Sequence, residues 1–224
     1  MMRAFLTRLL PTKISEILFN YERRSQFMLN LSLALNLFYA IFKLGTGFYY
    51  HSFWMGALGI YYAVLAGLHF FLLRAIHRSN DQRDMVIYRR TGWLLNLLTL
   101  AMTGIFMQMV LENQAYHYPG VLIFAMAVWA FAKLIVAAVN LIKRQKDENK
   151  VLAAARCVSF AGALMSILAL QTALLARFGE GAATFAQTMN AITGAGVTAL
   201  LITLSALMIT RSGAWKSKDE KRSH

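Results

Sequence analysis

Residues 26–49, QFMLNLSLALNLFYAIFKLGTGFY, form a long apolar run whose single charge is Lys43. A helix needs about 20 predominantly apolar residues to cross the ~30 Å hydrocarbon layer, so this stretch is long enough to span a membrane. Five similar runs follow, at 52–76, 91–111, 119–142, 152–176 and 184–210. In lipid only helices and closed barrels satisfy every backbone polar group, and the alternation expected of barrel strands is absent. The sequence therefore predicts an all-α integral membrane bundle of six transmembrane helices over 26–211. Residues 1–25 precede it as an amphipathic cytoplasmic segment, and residues 212–224 follow as a short basic cytoplasmic tail, disordered from Lys216 onward.

Composition agrees with this class. The chain has 224 residues, of which 58% are hydrophobic and 15% charged, with only two prolines. Such a balance is too apolar for a soluble domain. The formal charge of +13 is spread over several connections and both ends. A nucleic-acid surface would gather its basic residues in one domain with interleaved aromatics, so nucleic acid is not an expected partner. Cys157 is the single cysteine, which excludes an internal disulfide and a multi-cysteine metal site. In the first segment Phe5, Leu6, Leu9, Leu10, Ile14, Ile17, Leu18 and Tyr21 recur near helical spacing between charges. Pro11 and those charges interrupt any signal-peptide core, leaving a helix that lies on the membrane surface.

The connections alternate in charge. The segments before the first run, near 74–90, near 143–156 and after 211 hold nearly all the basic residues outside the spans, whereas the other three connections hold only Arg177. By the positive-inside rule both termini and the two basic loops are cytoplasmic. Tyr49, Tyr50, Trp54, Tyr116 and Tyr118 then fall at the outer ends of spans, where aromatic rings favour the headgroup region. Short loops and the lack of a cleavable signal suit a bacterial cytoplasmic membrane.

All ten carboxylates lie outside the apolar runs, while Lys43 and Lys133 lie inside. Each lysine lies in a similar string, YAIFKL at 39–44 and WAFAKL at 129–134, and each following span opens near a Ser-Phe pair, Ser52-Phe53 and Ser159-Phe160. An odd number of spans, three, separates the copies. The second copy would then cross in the opposite direction, which is a 3+3 inverted repeat of the kind found in secondary transporters. Two readings of the lysines stand side by side: snorkelling to the interface along their aliphatic stems, or facing a polar cavity to meet an anionic group. Asn36 and the intramembrane His69 are further polar groups at depth, as are Asn96, Thr103, Gln171, Thr193 and Thr198, for which interhelical hydrogen bonding is the simplest role. Paired carboxylates at depth are missing, as are His-Glu-x-x-His, Cys-x-x-Cys, Gly-x-Ser-x-Gly and P-loop motifs, so no enzyme activity and no cofactor are expected.

The string ALNLFYAIFKLGTGFYYHSFWMGALGIYY at 34–62, together with six spans and both ends inside, resembles the transmembrane domain of the cation diffusion facilitator, or cation efflux, family. The likeness rests on Asn36, Lys43, Gly47 and Ser52, on the spacing of later spans, on the basic loop 143–150 and on the alanine-rich opening of the fifth span. It implies a cation-efflux-like fold, a homodimer, and proton-coupled export of divalent metal held by Asp or His pairs on the second and fifth spans. The matching positions here are Tyr61, Leu65, Arg156 and Phe160, which do not suit Zn²⁺ or Mn²⁺. The metal-ligand positions are thus not retained, and no cytoplasmic metal-sensing domain follows the sixth span. The expectation is a transporter-like carrier of another solute, with Lys43, Lys133, Asn36, Ser52, Tyr61 and His69 as candidate substrate residues and no metal ligand. The alternative is a non-transporting scaffold or accessory subunit with a basic cytoplasmic face. Besides the bilayer, an anionic lipid or anionic solute is the expected partner.

Overall fold

The computed structural model describes residues 21–76, 81–111, 120–142, 149–178 and 183–220. Six helices follow one another: α1 (Tyr21–Tyr49), α2 (Phe53–Ile76), α3 (Asp81–Leu111), α4 (Gly120–Ile142), α5 (Lys150–Phe178) and α6 (Ala183–Glu220). The described residues contain no strand. Five of the helices are long and apolar enough to cross a membrane. The exception by that measure is α4, whose described apolar stretch runs over Met126–Ala137. The protein is a helical membrane bundle.

The helices overrun the apolar stretches in several places. Helix α3 begins at Asp81 rather than near 91, and α6 continues to Glu220, through part of the expected disordered tail. The physical reason is that hydropathy marks the part of a helix that meets lipid, while intrahelical hydrogen bonds extend into water until a breaker intervenes. No proline lies between Ala183 and Glu220 to stop α6. The amphipathic segment at 1–20, Tyr116, Tyr118 and the basic residues at 143–146 lie outside the described residues.

Helices α2 and α5 form the centre. Of their apolar windows 56% and 67% are buried, against 28–33% in α1, α3 and α6. Around them α1 packs on α2, α4 on α5, and α3 on α6, while α2 and α5 also touch each other. Because lipid tails are as apolar as leucine, such contacts depend on close packing and hydrogen bonding. Small residues supply the packing. A Cβ on Gly47 would lie 2.7 Å from the backbone nitrogen of Gly56, and one on Gly59 would lie 2.8 Å from that of Leu44, so α1 and α2 meet backbone to backbone. Only Tyr50, His51 and Ser52 connect them. In that turn His51 takes the left-handed conformation (φ 50°), and the Ser52 hydroxyl accepts a hydrogen bond from the Met55 amide at 3.4 Å, capping α2.

Many outward-facing positions are large and apolar. Phe38, Phe48, Phe70, Phe124, Val128 and Ile192 are all more than half exposed, which in a membrane protein is the surface offered to acyl chains.

Candidate functional site

The two intramembrane lysines sit at matched places, each four residues after an aromatic residue: Tyr39 and Lys43 on α1, Trp129 and Lys133 on α4. Residues four apart share a helix face, so each lysine lies on the same face as the ring that precedes it. Neither lysine snorkels. Lys43 is fully buried and Lys133 is 9% exposed.

The two faces are turned toward each other, and their contacts are reciprocal. Lys133 Nζ donates to Asn36 Oδ1 at 2.6 Å. Tyr39 and Trp129 stack with centroids 5.7 Å apart and planes 9° apart. Lys43 Nζ donates to Met126 Sδ at 3.6 Å. Ascending order on α1 (36, 39, 43) thus meets descending order on α4 (133, 129, 126), and the helices run antiparallel. Among the described residues no Cα of α1 comes within 8 Å of one on α4. Long side chains alone bridge this seam.

Aromatic faces complete the surroundings of the lysines. The Lys43 and Lys133 nitrogens lie 5.5 and 5.9 Å from the Tyr39 ring centroid, and Lys133 lies 4.5 Å from that of Tyr62. At this range the ring quadrupole attracts a cation, by up to about 2 kcal/mol where water is excluded. The Tyr62 ring is held by its hydroxyl, 2.8 Å from Gly162 O and 2.6 Å from Ser166 Oγ on α5. Gly162 also makes the space for the pair. A Cβ there would lie 3.0 Å from Leu65 Cδ1, 3.3 Å from Lys133 Nζ and 3.5 Å from Asn36 Oδ1.

His69 extends the cluster. Its Nδ1 lies 2.9 Å from Leu65 O and 3.3 Å from Asn36 Nδ2, and it cannot donate to the first while accepting from the second. A carbonyl only accepts, so the shorter contact makes Nδ1 the donor. Nε2 lies 3.0 Å from Ser159 Oγ, and that hydroxyl donates to Ser32 Oγ at 3.2 Å. A cleft with room for about one water, 20 Å³, opens here, with Ser32, Asn36, Lys133 and Ser159 in its lining.

Of the six candidate residues read from the sequence, the structure therefore brings Lys43, Lys133, Asn36 and His69 into one cluster. Tyr61 is buried beside it, its ring 5.5 Å from that of Tyr62, and its hydroxyl has no hydrogen-bond partner among the described residues. Ser52 stands apart as the α2 cap. Sequence reasoning did not single out Tyr39, Tyr62, Trp129 and Met126. The aromatic-x-x-x-Lys spacing on both helices was the available signal for two of them. The positions matched to metal ligands hold buried Tyr61 and Leu65 and half-buried Arg156 and Phe160, and among the described residues no group of three His, Cys, Asp or Glu comes together.

Elsewhere the intramembrane polar groups pair as neutral glue. Asn96 bonds Ser205 at 2.9 Å and Thr103 bonds Thr198 at 3.0 Å between α3 and α6, and Gln171 bonds Thr193 at 2.7 Å between α5 and α6.

No protein-family profile, curated protein or solved structure matches the chain. The arrangement of its own residues carries the functional reading.

Proposed function

We propose that this protein is a secondary carrier of a small anionic solute, which it binds at the Lys133–Asn36 pair in the seam between α1 and α4. The observation that carries this reading is the company Lys133 keeps. Protonated, it presents three N–H donors, and among the described residues a single neutral oxygen, Asn36 Oδ1, accepts one of them. A buried charge is stabilised chiefly by an opposite charge, and a substrate anion is the group that would supply it.

The seam suits a moving part, because side chains bridge it without backbone contact. The reciprocal contacts of 36, 39 and 43 with 133, 129 and 126 support a 3+3 inverted repeat, in which α1 corresponds to α4, α2 to α5 and α3 to α6. The packing of α1 on α2 then corresponds to that of α4 on α5. In this scheme α4, about 35 Å long at 1.5 Å per residue, supplies the sixth crossing. Both termini are cytoplasmic by the charge asymmetry, in a bacterial inner membrane. From the resemblance to the cation efflux family this reading carries over the architecture and a homodimer, and no metal site.

The small volume of the cleft favours one second reading, a non-transporting accessory subunit in which the cluster only specifies packing. Flux through reconstituted vesicles separates the two. Proteoliposomes tested with chloride, nitrate, phosphate and small carboxylates should take up at least one of these anions, and the folded Lys43→Met/Lys133→Met variant should lose that uptake. Undiminished uptake in the variant would remove the lysines from the mechanism, and no uptake of any anion by the intact protein would favour the accessory subunit.

A further inference from the structure

The end of α2 and the beginning of α3 leave between them a cleft of about 520 Å³, a size typical of small-molecule sites, which shares no lining residue with the lysine seam. Three arginines line it: Arg74 in the last turn of α2, and Arg83 and Arg90 on α3. Phe71, Val86 and Ile87 form its apolar wall. Arg83, Ile87 and Arg90 follow spacings of four and three, so they share one face of α3. Arg83 and Arg90 stand two turns apart, about 10 Å along the axis.

The setting is interfacial. With 31 residues α3 is about 46 Å long, well beyond the ~30 Å of hydrocarbon, so its first turns project into the headgroup region. Phe71 and Val86 are 53% and 45% exposed, open to the lipid side. Asp84, a carboxylate on the same stretch of α3, is 3% exposed and turned into the bundle, away from the arginine face.

We infer that this cleft binds an acidic phospholipid, with its phosphate among Arg74, Arg83 and Arg90 and its acyl chain along Phe71 and Val86. Guanidinium groups bond phosphate oxygens in pairs, which a neutral lining could not do. The apolar wall selects a lipid over a soluble phosphate, because only the lipid has a chain to lay against it. The inference is independent of anion transport at Lys133.

The test uses the full chain, purified in detergent and stripped of lipid, with bound lipid counted by native mass spectrometry. Phosphatidylglycerol should be retained at least about tenfold better than phosphatidylcholine. The Arg74→Gln/Arg83→Gln/Arg90→Gln variant should lose on the order of 100-fold in retention, and Arg83→Gln alone about fivefold, in line with the usual contribution of one basic residue at an anionic surface. The single variant keeps the test decisive if the triple one fails to fold. Soluble glycerol phosphate should not compete. Equal retention of the two lipids, unchanged retention in the folded variants, or competition by glycerol phosphate as strong as by the lipid would each overturn the assignment. The Lys43→Met/Lys133→Met variant should hold phosphatidylglycerol as the parent does.

Discussion

Helix α1 has two very different neighbours. Against α2 it packs backbone to backbone, through Gly47 on Gly56 and Leu44 on Gly59, with a three-residue turn closing the pair. Toward α4 it extends only side chains: a lysine to an asparagine, a ring to a ring, a lysine to a thioether. The first contact cannot slide without collision, whereas the second can part by changes of rotamer. The contrast separates a stiff hairpin from a seam of side chains, and both Lys43 and Lys133 lie on that seam.

Three substitutions would break or sharpen that contrast. Gly47→Val should have the largest effect, because a Cβ there meets backbone that cannot yield. A loss of about 3 kcal/mol is expected, at the upper end for overpacking, read as a lower detergent melting temperature. A variant as stable as the parent would mean that the hairpin is looser than its geometry. Asn36→Leu removes the oxygen that accepts from Lys133 at 2.6 Å. It should destabilise by about 2 kcal/mol, the usual range for a hydrogen bond to a charged group. Adding Lys133→Met should recover part of that loss, and strictly additive losses would dissolve the proposed coupling. Met126→Leu should do least, below about 1 kcal/mol, since it conserves volume and a thioether accepts hydrogen bonds weakly. A larger effect there than at Asn36 would mean that the Lys43 contact, rather than that of Lys133, holds the seam.

Much of this was legible in the chain. Hydropathy located all six helices, because a charge at membrane depth is expensive enough to leave a clear mark on sequence. Their ends were less legible, as α3 and α6 show, since a helix outside lipid needs no apolar residue to continue. Lys43, Lys133, Asn36 and His69 stood out as polar groups in apolar surroundings. Their grouping did not, because it depends on which faces of α1, α2 and α4 converge. Tyr62 was hidden for a related reason. It adjoins Tyr61, and nothing local tells which of two neighbouring rings turns toward a lysine on another helix. Gly162 was readable as a small residue suited to close helix approach, but the pair it accommodates comes from α1 and α4.

The Tyr39–Trp129 stack gives the seam an optical signature of its own. Indole emission responds to the ring and the charges beside it, and Trp129 lies 5.5 Å from Phe38 and 5.7 Å from Tyr39, which is flanked by both lysines. The other tryptophans are Trp54, Trp93 and Trp215. With those three changed to phenylalanine, the remaining indole emission belongs to the place where α1 and α4 touch, and a parting of the helices becomes visible as a change of colour without any attached dye.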